Sequence, residues 1–144
     1  MKIEESVEIH RPVADVFEFA SDPAHWSRWA SAFQSVEAGD GSDPPVPGDV
    51  FRTEASFLGK EVRTDFEVTH VDPPWLFGYR ATRGPVPGEF RWTFTESGTG
   101  TRFHFSVEGE LKGMAKVMAP VAAPAVRAQI RHDLDRLKKI LEAG

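Results

Sequence analysis

The chain has no cysteine and only one tyrosine in 144 residues. Without cysteine there is no disulfide, no thiol nucleophile and no thiolate metal site, and the composition fits a reducing compartment. Basic residues are in deficit: 17 Lys and Arg stand against 22 Asp and Glu, a net charge of −5. That balance argues against non-specific binding to nucleic acid. Long hydrophobic runs are missing too. The longest uncharged apolar stretch covers residues 117–126, well short of the roughly 20 residues that span a membrane. Acidic Glu4 and Glu5 follow the start at once, unlike a secretory signal. The expectation is a soluble cytoplasmic protein with no nucleic-acid partner and no membrane span.

What the chain has in abundance is aromatic rings without a hydroxyl: eleven Phe and four Trp. Hydrophobic residues make up 40% and charged residues 27%, the composition of an ordinary globular domain. No internal repeat is visible. The Pro/Gly-rich stretches at 39–48, 72–74 and 84–88 are of loop length, so residues 1–144 read as a single domain.

Residues 2–9 read as a strand around Ile3, Val7 and Ile9. Pro12 suits the start of a helix carrying Val13, Val16, Phe17 and Ala20, because a first-turn residue needs no N–H. Asp22-Pro23 breaks it and begins a second short helix with Trp26 and Trp29; a strand follows from Phe33. From 51 to 108 the chain alternates with period two. One face carries Phe51, Thr53, Ala55, Phe57; Val62, Thr64, Phe66, Val68; Trp75, Phe77, Tyr79, Ala81; Phe90, Trp92, Phe94; and Phe103, Phe105, Val107. Ten of these eighteen positions are Phe or Trp. The opposite face is mostly polar, as in an antiparallel meander with one wet side. Val126, Ile130, Leu134, Leu137 and Leu141 then form one stripe of an amphipathic helix. Pro120 and Pro124 predict a kink, or a helix junction, near its start.

A one-sided sheet must bury its apolar face, and the last helix is the only long amphipathic element. The fold class is therefore α+β: a strand, two short helices, and a six-strand antiparallel meander curled around a long C-terminal helix. This order resembles the helix-grip fold of the START-like superfamily, in its SRPBCC branch of polyketide cyclase/dehydrase and lipid-transport proteins. The residues that carry the resemblance run almost the whole chain. They are Arg11-Pro12-Val13-Ala14-Asp15-Val16-Phe17, Ser21-Asp22-Pro23 with Trp26 and Trp29, Val46-Pro47-Gly48-Asp49, and Phe66-Glu67-Val68-Thr69. Val71-Asp72-Pro73-Pro74, Gly100-Thr101-Arg102 and Asp133-Leu134-Asp135-Arg136-Leu137-Lys138 complete them. They are turns and packing residues, specific for the fold rather than for an activity.

The resemblance implies a cavity between sheet and helix for a small hydrophobic molecule, lipid-like or aromatic. The residues expected to line it are Trp26, Trp29, Phe51, Phe66, Phe77, Tyr79, Phe90, Trp92, Phe103, Phe105, Met114, Met118, Val121 and Ala125. Small Ala and Val near the start of the helix leave volume opposite the rings. Successive meander loops alternate between ends, so the 58–60 turn, the 82–88 loop and the 109–113 connection share one end. With flexible Met114 and Met118 beside it, that end is the expected mouth.

Few groups are placed for chemistry. No HExxH or similar metal spacing occurs, and the Asp40, Ser42, Asp43 loop lacks the distal Glu of a calcium loop. No metal or cofactor is expected. Among the meander's inward positions, Tyr79 is the foremost polar candidate, and His70 continues the inward row of Phe66 and Val68. Asp65, Glu67, Glu54 and Glu108 fall on the outer face. A face with almost nothing to move a proton favours binding over catalysis. The alternatives are a cyclase/dehydratase-type enzyme using Tyr79 or His70, and a protein-interaction module with a filled core. Oligomeric state is not encoded in these patterns.

Overall fold

Each meander strand offers one greasy face and one charged face, so the strands pair edge to edge and curl to hide the rings. The computed structural model describes residues 2–38, 44–57, 59–84, 88–109 and 114–144, without the side chains at 38, 57, 114–116, 118 and 119. Strand β1 (Lys2–Ile9) is followed by helices α1 (Val13–Ala20) and α2 (Pro23–Trp29) and a 3-10 turn, Ser31–Phe33. Then come β2 (Ser35–Ala38), β3 (Val50–Phe57), β4 (Lys60–Asp72), β5 (Leu76–Arg83), β6 (Glu89–Ser97), β7 (Gly100–Glu108) and α3 (Met114–Ala143). The seven strands form one antiparallel sheet in the order β1-β7-β6-β5-β4-β3-β2. This is the helix-grip α+β architecture anticipated from the sequence.

Local chemistry sets the entry into the short helices. Pro12 caps α1, and the Asp22 carboxylate accepts from the Ala24 N–H at 2.9 Å with Pro23 at the first helical position. Trp26 and Trp29 are three residues apart and therefore share the buried face of α2. Phe17 on α1 meets Phe94 edge-to-face at 5.1 Å.

The outer face is polar. Arg63 pairs with Glu54 at 2.7 Å and Arg80 with Glu67 at 2.9 Å across neighbouring strands. At the sheet edge, α3 runs beside β1: Arg127 and Lys138 donate to the Glu4 and Glu8 carbonyls, and Glu142 accepts from the His10 N–H. These contacts occupy backbone groups of an edge strand that would otherwise offer itself to another chain. Gly100 opens β7 because the chain passes so close to β1 that a Cβ there would overlap the Ile9 carbonyl oxygen.

One expectation is narrowed and two need correction. Helix α3 continues through Pro120 and Pro124 without a junction. Both prolines lie on the exposed side, where the carbonyl each leaves unpaired can bond to water. Trp75 is 45% exposed, because it belongs to the turn before β5 rather than to the strand. Val121 is 70% exposed. It lies five residues before inward Val126, a rotation of about 140° at 3.6 residues per turn; Ala122 and Ala123 take the inner side instead.

Candidate ligand-binding interior

The inner face of the sheet and the buried side of α2 bring most of the anticipated residues together. Trp26, Trp29, Phe51, Phe66, Phe77, Tyr79, Trp92 and Phe103 are all buried, and Phe90 and Phe105 are half-buried. Their rings form a connected set. Tyr79 stacks on Phe90 at 4.8 Å and Trp92 on Phe77 at 5.2 Å. Trp26 meets Phe51 edge-on at 4.9 Å, and Trp29 meets Trp92 edge-on at 5.2 Å. Such pairs add about 0.5–1.5 kcal/mol each beyond the burial of area.

Coverage of this face is uneven. Along the second half of α3, Ile130, Leu134, Leu137 and Leu141 are buried. Along the first half, Ala122, Ala123, Ala125 and Val126 are only half-buried, as are Phe90 near the start of β6 and Phe105 near the end of β7. Where β6 begins and β7 finishes, Phe90 and Phe105 are thus less covered than their neighbours Ile3, Tyr79 and Val107, which are buried. The side chains of Met114 and Met118 lie outside the described residues, as do 58, 85–87 and 110–113 of the anticipated mouth.

His70 does not join the site. Val68 pairs with Tyr79 but His70 pairs with Gly78, so Thr69 is an extra residue in β4. The bulge turns Thr69 and His70 to the outer face together. His70 is exposed there, its Nδ1 3.0 Å from the Thr69 hydroxyl. Gly78 makes room for them: a Cβ on it would stand 3.2 Å from Thr69 Oγ1. Val71 takes the inward place after the bulge.

The interior does hold polar groups, and two are acids outside the five meander strands. Asp133 sits on the buried stripe of α3, 9% exposed, and accepts from the Ser31 N–H at 3.0 Å and from the Ser31 hydroxyl. Burial raises its pKa, against the lowering effect of the Ser31 hydrogen bonds. Glu5 lies on the inner side of β1 and is held by Arg127 at 3.3 Å and Arg131 at 3.0 Å. Asp133 was legible in part, since Val126, Ile130, Asp133 and Leu137 follow one heptad stripe. Tyr79 is 4% exposed. Burial pushes its hydroxyl well above the ordinary value, a hydrogen bond with the Trp92 side chain opposes this, and the Asp133 charge adds to it. Tyr79 therefore remains protonated at neutral pH and acts as a hydrogen-bond donor rather than a base.

The indoles differ in a way the sequence does not reveal. Trp26 Nε1–H donates to the Ala20 carbonyl at 2.9 Å. The Nε1–H of Trp29 is buried and meets no partner, whereas the Trp92 indole interacts with the Tyr79 hydroxyl.

A separate cleft of about 390 Å³ lies outside the sheet, between α1, α2 and the end of α3. Its charged groups are largely matched among themselves: Arg11 with Asp15 at 3.1 Å, His25 with Asp22 at 3.6 Å, and Arg28 over the Phe19 ring. Among the described residues no cluster of three metal-ligating side chains occurs, and no helix is long and apolar enough to cross a membrane.

Comparison with known proteins agrees with this architecture. The chain superposes on TTHA0849 from Thermus thermophilus with a TM-score of 0.84 at 19% identity, over 99% of this chain and 98% of that one. It also matches the di-domain ARO/CYC StfQ of the steffimycin biosynthetic pathway, with a TM-score of 0.80 at 13% identity, over 99% of this chain and 51% of that one. Ara h 8.0201 gives 0.72 at 16% identity, over 100% and 99%. These likenesses establish the fold. No curated protein matches the chain. The family model for polyketide cyclase / dehydrase and lipid transport matches residues 1–142, so the chain belongs to that family.

Proposed function

We propose that the chain binds a small hydrophobic molecule, lipid-like or aromatic, between the curved sheet and α3. The observation that carries this is the uneven cover of the aromatic face. Leu134, Leu137 and Leu141 in the second half of α3 are buried, whereas Phe90 and Phe105 on the sheet and Ala123 and Val126 in the first half of α3 stay half-buried. An apolar surface left partly open next to small side chains is where a small apolar molecule gains most by leaving water. The test is native mass spectrometry of the protein as purified, followed by titration with N-phenyl-1-naphthylamine. The expected result is a solvent-extractable apolar molecule at one per chain, or saturable uptake of the probe by the emptied protein. An apo mass together with no probe uptake would sink the proposal.

A second reading, a cyclase or dehydratase, draws support from Asp133. A buried carboxyl with a raised pKa, close to the Tyr79 donor, is the kind of group that moves protons. Its test is cyclisation of a poly-β-keto thioester. Asp133→Asn should abolish turnover while leaving binding intact; equal turnover in the variant removes the residue from the chemistry.

A further inference from the structure

The exposed side of α3 changes character along its length. From residue 131 onward it carries Arg131, His132, Asp135 and Lys139. Between 117 and 128, every exposed residue among the described side chains is apolar: Val117, Pro120, Val121, Pro124 and Ala128. Val117 and Val121 are each 70% exposed. Val117, Val121, Pro124 and Ala128 follow the i, i+4, i+7, i+11 spacing of one stripe, about 16 Å long at the rise of an α-helix. The same half of the helix packs Ala123 and Val126 against the core. The stripe therefore takes no part in holding the domain together, and its apolar side chains stand in water.

The charge along this stretch has one sign. Residues 111–132 include Lys112, Lys116, Arg127 and Arg131 and no Asp or Glu, in a chain whose net charge is −5. Arg127 and Arg131 share a single carboxylate, Glu5, at 3.3 and 3.0 Å, so one positive charge is left over where the stripe ends. An apolar stripe in a basic stretch selects an anionic partner with an apolar interior. Size narrows the choice. A stable protein–protein interface takes about 800 Å² and 20–30 residues from each partner. Five small side chains on a convex helix fall far short of that, and a second copy of this chain would add basic residues to basic residues. A bilayer needs neither a concave surface nor a large area: each apolar side chain that enters the headgroup layer leaves water independently, and anionic lipids attract the arginines. We propose that the first half of α3 docks reversibly on an anionic lipid bilayer through Val117, Val121, Pro124 and Ala128, with Arg127 and Arg131 at the headgroups. This goes beyond the ligand-binding reading and stands without it.

The test is sedimentation of the full chain with phosphatidylcholine vesicles, with and without an equal part of phosphatidylglycerol, at low and high salt. The anionic vesicles should capture the chain and release it at high salt, and the neutral ones should leave it in solution. Arg131→Gln should weaken capture about fivefold, the effect of one basic residue near a charged membrane. Val121→Asp should weaken it about tenfold or more, through the lost burial of one valine. Because the chain has no cysteine, Val121→Cys or Thr95→Cys places an environment-sensitive dye at one known position. On anionic vesicles the emission should shift to the blue at 121 and stay unchanged at 95, on the outer face of the sheet. The vesicle comparison on the unsubstituted chain and the dye positions decide the matter even where a variant does not fold. Equal capture by neutral and anionic vesicles overturns the proposal, as does a blue shift at 95 without one at 121. No capture by either also overturns it; a free chain that is then a dimer, dissociated by Val121→Asp, would assign the stripe to a second copy instead.

Discussion

Ser31 and Asp133 are 102 positions apart, yet Ser31 gives both its N–H and its hydroxyl to the Asp133 carboxylate. This contact ties the 3-10 turn after α2 to the middle of α3. It also keeps an acid at the boundary of an otherwise apolar core, where burial raises its pKa.

The sign of the resulting pH dependence follows from linkage. A raised folded pKa means that the native chain holds this proton more tightly than the unfolded one. Between the ordinary value of 3.8 and the raised value the native state binds more protons, so the Asp133 contribution to stability falls as pH rises through that window. Asp133→Asn has no such dependence. Urea midpoints measured from pH 3.5 to pH 7 should show the wild type losing ground to the variant as pH rises. A difference that does not change with pH would contradict the assignment.

Ser31→Ala removes one of the two donors and leaves the carboxylate less compensated. The expected loss is about 1.5–3 kcal/mol at pH 7, the usual range for a hydrogen bond to a charged group. Equilibrium denaturation measures it, and the loss should be smaller in an Asp133→Asn background. Equal losses in both backgrounds would mean that the two residues are not coupled.

Trp75, in the turn before β5, and Phe77, at its start, should respond differently to truncation. Phe77 is fully buried among Trp26, Tyr79 and Trp92, so Phe77→Ala should cost about 3–5 kcal/mol. Trp75 is half in water, and Trp75→Ala should stay within about 0.5 kcal/mol. Thermal melts of the two variants check this, and a large loss at Trp75 would place it inside.

Gly100→Ala should destabilise by about 1–3 kcal/mol, since the added methyl meets the Ile9 carbonyl oxygen and backbone cannot step aside as a side chain can. Urea denaturation measures the loss, and a neutral substitution would show that β1 and β7 are further apart at this end.

Much of the fold was legible because the meander is long and its alternation strict. Phe51, Phe66, Phe77, Trp92 and Phe103 all fall on the inner face by parity alone. Parity failed where a strand carries an extra residue. The bulge at Thr69 has no sequence mark, and it sent His70 outward. It failed again at Trp75, where the strand begins one residue later than the pattern. On α3 the stripe through Val126 was read correctly, but extending it back to Val121 ignored helical phase. The acids of the interior were missed for a simpler reason. Glu5 is on β1 and Asp133 on α3, outside the meander whose alternation marks inward positions. That Trp29 lacks an acceptor while Trp26 has one depends on which carbonyl lies within reach of each ring, and only three-dimensional placement reveals it.

The most direct test of an interior ligand site is a proton–nitrogen correlation spectrum of the indole groups during titration with N-phenyl-1-naphthylamine. The chain has four tryptophans, so there are four resonances to follow. The resonances of buried Trp29 and Trp92 are expected to shift and saturate together, while that of exposed Trp75 moves little. Shifts confined to the outer cleft around Phe19 and Ile140, with the Trp29 and Trp92 resonances unmoved, would contradict an interior site.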